Sequence, residues 1–299
     1  MSNYSRDALS ADAALLFDRL IERLGRWHSV IVAFSGGVDS AFVCKAAMMA
    51  LGGRRVLAVT GRSASVPSAE LASVAELARE IGAPHQFLDT HEFADPNYLA
   101  NPSNRCYFCK TELYSRLARL TRQRGDDAII SGTNADDLGD HRPGLLAAEE
   151  HGVRAPLAEL GITKARLREM AAAVGLSIAR KPASPCLSSR VQYGETITPE
   201  KLRRIDAAER YLRGLGFHEC RVRNHGELAR IEVPLPDVPR LAESSLGMQV
   251  EAHLRELGFA YVTVDLRGFR SGSMNEGLPR GVPLPLLGER AVSAPAARG

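Results

Sequence analysis

The chain has 299 residues, a formal net charge of +3, 45% hydrophobic and 24% charged side chains. That length suits one large domain or two ordinary ones, with enough apolar material for a buried core. The small, scattered positive charge leaves no footprint for a large polyanion, so nucleic acid is not an expected partner. The polar start and the lack of a long apolar run argue against a leader and a membrane span, and the expected location is the cytoplasm.

In chain order, an apolar run at 30–34 ends in Gly36-Gly37, and a helical pattern over 40–51 follows. Strand patterns return at 55–60, 85–89 and 128–131, separated by an amphipathic stretch at 69–81 and a helix over 106–120. Apolar strands spaced by helices predict parallel pairing through right-handed crossovers. The expectation is a doubly wound α/β parallel sheet, whose ligands sit at the carboxyl ends of the strands. Thr163 is placed to cap a helix over 164–174. Residues 180–195 are rich in Pro and Ser, have no period, and read as a connector. Thr198 and Pro199 open a helix to about residue 215. Strands near 220–223 and 229–233, a helix near 248–257 and a strand at 261–266 then predict a second, smaller α/β domain. The expected division is 1–180, a connector at 181–197, 198–274, and a mobile tail at 275–299.

The strongest motif is Ser35-Gly36-Gly37-Val38-Asp39-Ser40 between strand and helix. A helix N-terminus offers unpaired N–H groups and partial positive charge, and glycines let the backbone close on a phosphate. Ser35 and Ser40 add hydroxyls. The Lys-Ser/Thr pair of a Walker loop is missing. Gly61-Arg62-Ser63 and Gly132-Thr133-Asn134 follow other strands at the same sheet edge. Turn chemistry alone accounts for their composition, but the position makes Arg62, Gly132 and Thr133 candidate nucleotide contacts.

Five cysteines, an odd number, do not form a secreted disulfide framework. Cys186 lies in Pro-Cys-Leu-Ser-Ser-Arg, with Lys181 and Arg190 near enough in sequence to favour a thiolate. Cys106 and Cys109 form a Cys-x-x-Cys pair, and no second pair completes a zinc site. Together with Cys186 they are enough for a cubane iron–sulfur cluster with one open iron, a redox disulfide being the competing reading. Cys44 is assigned to the core, and Cys220 receives no role. The eight histidines lack metal-type spacing. Arg221, Arg223 and Arg230 suit a phosphate, or form a solvated basic face.

The glycine loop resembles the PP-loop of ATP pyrophosphatases. With the stretches 34–40, 132–144, 153–164, 181–194, 221–232 and 271–276, the chain resembles the LarE family. These are ATP-dependent sacrificial sulfur transferases that help make the nickel-pincer nucleotide cofactor of lactate racemase. The resemblance implies ATP with Mg2+, a nucleotide contact set of Ser35, Gly36, Gly37, Asp39, Ser40, Arg62, Gly132 and Thr133, and a small-molecule substrate. A carboxylate of a pyridinium dicarboxylate mononucleotide would be adenylated with loss of PPi, and sulfur would displace AMP to give a thiocarboxylate. In single-cysteine members the residue matching Cys186 surrenders its sulfur and becomes dehydroalanine. Cys106 and Cys109 align this chain instead with a three-cysteine subgroup. There, a [4Fe-4S] cluster carries an added sulfide from sulfide or another donor. The cysteine arithmetic favours Cys186 as a cluster ligand over a consumed donor. Arg190, Arg221 and Arg223 are the expected substrate contacts, Glu209 and Glu232 the expected divalent-ion ligands, and a homo-hexamer the expected assembly. The alternatives are a single-turnover transferase, an ammonia-using PP-loop amide synthetase, a tRNA thiolation enzyme, or a non-catalytic nucleotide- or cluster-binding sensor.

Overall fold

The computed structural model describes residues 8–139, 143–181, 184–270 and 273–274. The expected tail at 275–299 lies outside them, as do parts of the stretches 132–144, 181–194 and 271–276 that carried the family resemblance.

Helix α1 (Ala11–Gly25) opens the fold, capped by the Ser10 side chain, and buries Ala13, Phe17, Leu20 and Leu24. Four strands follow with their crossovers: β1 (Val30–Ala33), α2 (Val38–Leu51), β2 (Val56–Arg62), α3 (Ser68–Ile81), β3 (His85–Asp89), the short α4 (Pro96–Leu99), α5 (Arg105–Arg124) and β4 (Ala128–Ile130). They pair in parallel in the order β3-β2-β1-β4. Helices α6 (Pro143–Glu150), α7 (Pro156–Glu159) and α8 (Lys164–Ala173) complete this part. Arg154 extends the sheet by one bridge to Ile130.

Alternation along the strands sends side chains to both faces. Val30, Val32, Val56, Ala58 and Ile130 meet α1, α2, α3 and α8 on one face. Ile31, Leu57, Val59 and Ile129 meet Tyr114 and Leu117 of α5, and Ala147 and Ala148 of α6, on the other. The sheet is thus covered twice, as the continuous apolar runs require. β2 and β3 lie on one side of β1, and β4 on the other. The topological switch point therefore falls at the carboxyl ends of β1 and β4.

The second sheet joins β5 (Arg221–His225), β6 (Leu228–Glu232) and β7 (Tyr261–Val264), the first pair antiparallel and the second parallel. Helix α9 (Pro199–Gly214), capped by Thr198, lays Leu202, Ile205, Ala208 and Leu212 on it. The short α10 (Val238–Leu241) and α11 (Ser244–Glu256) close the unit. Its core also recruits Phe93, Tyr98, Leu99, Phe108 and Cys109 from the middle of the chain, with Leu187 and Val191 from the connector. The two cores are therefore not strictly sequential.

Gly36 has φ of 75°, a conformation that L side chains rarely adopt, and a methyl there would strike Val74 Cγ2 of α3. Gly36→Ala should lower the melting temperature, backbone strain alone costing about 1–2 kcal/mol. Adding Val74→Ala should restore only the part due to collision. Thermal unfolding of the three variants measures the split, and full recovery in the double variant would show that backbone strain contributes nothing.

Candidate functional site

The glycine loop is wound tightly onto the start of α2. Ser35 N donates to Ser40 Oγ (3.1 Å), the two hydroxyls lie 3.1 Å apart, and Ser40 Oγ donates to Gly37 O (3.0 Å). Gly37 occupies the N-cap with no side-chain partner for the helix amides, so they remain available to an anion. On the far side of the switch point, Gly132 packs directly on this turn. A Cβ there would lie 2.6 Å from the Asp39 carbonyl carbon. Glycine at 132 is therefore a requirement of close backbone approach. Thr133 is half-buried behind it, accepting from Ser131 Oγ at 3.1 Å.

Asp39 is gripped by Lys164 Nζ at 2.6 Å and by Asn134 Nδ2 at 3.4 Å. Lys164 is the first residue of α8, and its backbone N–H donates to Asp136 Oδ2 (2.9 Å). Sequence reasoning found the Thr163 cap but gave Lys164 no part in the loop. Nothing local in the sequence signals a partner 125 residues away. Arg62 stands at the exposed end of β2, paired with Asp89 at 2.6 Å and lying over the Phe87 ring. As the side chains stand, it is directed along the sheet edge to β3.

All five cysteines are free thiols. Cys106 and Cys109 lie within the first five residues of α5, and Cys186 is the residue before the turn Leu187–Arg190. The connector is tied to the edge of the first sheet by Leu187 N donating to Ser65 O (2.8 Å), in the loop after β2. Cys106 is exposed, yet desolvation by the surrounding atoms and then the charge of Cys186 raise its thiol, while Arg105 and Lys110 oppose the rise. Burial, Glu92 and Cys186 raise the Cys109 thiol. Cys186 thus bears on both thiols of the pair. Cys44 and Cys220 are buried and pushed up to about 12 by burial, as inert core thiols are. Near Cys109 lies Glu92, which sequence reasoning missed. It is buried, accepts from Ser63 Oγ (2.5 Å) and Ser65 Oγ (3.0 Å), and leaves Oε2 without a hydrogen-bond partner.

The expected site residues of the second unit are mostly buried and paired within the fold. Arg190 is 1% exposed. It forks onto Glu209 (3.0 and 3.2 Å) and donates to Pro185 O (2.6 Å) and Cys186 O (2.9 Å). Glu209 and Glu232, expected at a divalent ion, are both fully buried as arginine counter-ions. Glu209 also takes Arg213 and Val222 N, while Glu232 takes Arg223 at 2.8 Å, Arg230 at 3.4 Å and Ser273 Oγ at 2.6 Å. Arg223, 6% exposed, is spent on Glu232 and Ser189 O rather than facing solvent. Arg221 differs. It is half-buried, stacks on Phe269, donates to Cys220 O, and has no ion pair among the described residues. Burial and then the charges of Arg190 and Arg223 push its guanidinium below the ordinary value, with Glu209 opposing. Such a cation gains from an incoming anion.

The Arg190–Glu209 pair should govern acid stability. Burial alone would raise the Glu209 carboxyl, but Arg190, with Arg221 and Arg213, holds it below its ordinary 4.5. Its contribution is therefore complete above that pH and is lost as pH falls through the lower folded-state value. Arg190→Met should cost about 3–5 kcal/mol, by leaving a buried charge unpaired. Glu209→Gln in addition should recover part of that loss. Urea unfolding at pH 7 and pH 4 measures both effects, and an unchanged acid limb in Glu209→Gln would remove the carboxyl from the account.

Comparisons with known proteins agree with this geometry. The NAD synthase family model matches residues 14–102, the span from α1 past the glycine loop to α4. A protein of Synechocystis sp., described as uncharacterized, is 46% identical over 88% of this chain and 98% of its own length. The pyridinium-3,5-bisthiocarboxylic acid mononucleotide synthase of Lactiplantibacillus plantarum is 39% identical over 87% of this chain and 94% of its own. A tRNA-specific 2-thiouridylase of Ruegeria sp. is 31% identical, but over only 58% of this chain and 55% of its own. Glycine loop, switch-point crevice and near full-length similarity together establish that the chain belongs to the LarE family of PP-loop, ATP-dependent sulfur transferases.

Proposed function

We propose that this protein adenylates a carboxylate of a pyridinium dicarboxylate mononucleotide and replaces the AMP by sulfur, producing a thiocarboxylate. The observation that carries the proposal is the Leu187–Ser65 tie. It brings the Cys186 connector to the sheet edge that ends in the glycine loop. The name of the Lactiplantibacillus relative supplies the substrate class.

The free amides of α2, with Gly36 and Gly37, would hold the pyrophosphate of ATP, which Mg2+ accompanies. Ser35 adds a donor, and the Asp39–Lys164 pair fixes the wall of the cradle. A substrate carboxylate oxygen attacks the α-phosphorus, and PPi leaves. Sulfur then attacks the acyl carbon, AMP leaves, and a carbon–sulfur bond replaces the acyl–oxygen bond to AMP. AMP makes the carboxylate a competent electrophile, and a thiolate or sulfide is the matching nucleophile. Arg221 is the guanidinium best placed to take the substrate phosphate, since Arg190 and Arg223 are engaged within the fold.

The three thiols also suit an iron–sulfur cluster. Among the described residues no three His, Cys, Asp or Glu side chains close on a lone metal ion. A cubane offers its irons at separate corners, so its thiolates stand further apart than ligands of one ion. Three free thiols, two at the start of α5 and one in the connector, are the donor set it needs. Cys106, Cys109 and Cys186 would hold it, and it would supply an exchangeable sulfide, so that protein sulfur is not consumed. This reading takes sulfide as donor and a homo-hexamer as the assembly.

ATP should yield AMP and PPi when the carboxylate nucleotide is present, and Ser35→Ala or Asp39→Ala should depress that yield. ADP as the main product would end the PP-loop reading of the chemistry. Arg221→Ala should weaken nucleotide-substrate binding by about 1.5–3 kcal/mol and leave ATP affinity nearly intact. After turnover of anaerobically reconstituted protein, the intact mass should be unchanged. A loss of about 34 Da, the mass of H2S lost when cysteine becomes dehydroalanine, would show Cys186 to be consumed.

A further inference from the structure

The Cys-x-x-Cys helix and the Cys186 connector come from distant parts of the chain, and something must fix their separation. The segment entering α5 is stitched to the connector at several points. Tyr98 and Ser188 share a hydroxyl hydrogen bond (2.6 Å), and Ile197 N donates to Leu99 O (2.9 Å). At the centre is Asn101, fully buried, with φ of 50°. Among the described residues it alone combines a side chain with positive φ. Such a conformation is uncommon and settles where the surroundings impose it.

Every part of Asn101 is engaged. Its Nδ2 donates to Gln192 O (2.7 Å) and, more weakly, to Val191 O (3.3 Å). Its Oδ1 accepts from Arg105 Nη1 (2.7 Å), and its backbone carbonyl accepts from Gly194 N (3.0 Å). Arg105 is buried, lies over the Tyr193 ring, and directly precedes Cys106. On the other side, Val191 bridges to Asn224 of β5. One amide therefore ties the residue before the first thiol to the connector, six positions after the third.

We propose that Asn101 is a positioning residue that sets the spacing between the Cys106–Cys109 pair and Cys186. The inference rests on the three thiols acting at one site, as proposed above. The αL turn aims the amide at the connector carbonyls of Val191 and Gln192. Its effect is on sulfur delivery after adenylation, because the ATP cradle is built from other residues.

The test is cross-linking of the metal-free, reduced protein with dibromobimane, with linked peptides identified by mass spectrometry. Asn101→Gly keeps the backbone conformation and removes the amide. Asn101→Asp keeps the acceptor toward Arg105 and removes the donor. Both should reduce the Cys109–Cys186 link by about tenfold or more, the sensitivity expected of groups whose reaction depends on sub-ångström placement. ATP affinity and PPi release should stay near the wild-type level, while sulfur transfer per PPi falls. Thr198→Ala, which loses only the α9 cap, serves as the destabilised control and should keep its cross-link. If either Asn101 variant fails to fold, Arg105→Met breaks the same tie from the helix side and should lose the link too. A wild-type cross-link yield in folded variants, or an equal loss in Thr198→Ala, would overturn the proposal. Because the link is read without substrate, an error in the proposed substrate would leave this result standing.

Discussion

The buried guanidinium of Arg190 holds the Cys186 connector to the second unit. It forms a forked pair with Glu209 of α9 and donates to the carbonyls of Pro185 and Cys186. A buried ion pair gives little net stability, because desolvation offsets the attraction, but it tolerates few other arrangements. Here it fixes a stretch with no regular secondary structure beyond one short turn. Glu209 also receives Val222 N, so the same carboxylate anchors β5. The connector, α9 and the second sheet therefore share one electrostatic centre, and the sulfur-bearing turn inherits its place from it.

The nucleotide side obeys a different constraint, that of backbone contact. A parallel sheet with helices on both faces leaves one crevice where the strand order reverses. Gly132 lies so close to Asp39 that no side chain fits between them. The two walls of that crevice are thus in van der Waals contact at their base. That contact closes the base of the crevice, and the Asp39–Lys164 ion pair that flanks it is long-range in the chain.

Much of the first sheet was legible because its strands are apolar runs with turn glycines at their ends. The glycine loop, the Thr163 and Thr198 caps and the core role of Cys44 rest on local rules and hold in the structure. Helix α1 was not read, although Ser10 and the spacing of Ala13, Phe17, Leu20 and Leu24 carry the signal. Helix α6 was also missed, since eight residues give barely two turns of pattern. The burial and pairing of Arg190, Arg223, Glu209 and Glu232 were not legible for a physical reason. Sequence shows charge but not burial, and a guanidinium that would grip phosphate at a surface will grip a carboxylate in a core. Asn101, Glu92 and Lys164 owe their roles to partners far along the chain, which no local window contains.

The mixed origin of the second core bears on how the molecule is made. Phe93, Tyr98, Leu99, Phe108 and Cys109 leave the nascent chain long before the residues that bury them. The strands and helices of the nucleotide cradle are complete by α8, whereas the connector lacks its anchors on the second unit until Glu209 and Asn224 have been synthesised. During synthesis, the apolar entry to α5 and Cys109 remain uncovered while the ATP-binding sheet can already close. Synthesis therefore has an interval in which that apolar segment awaits the domain that covers it.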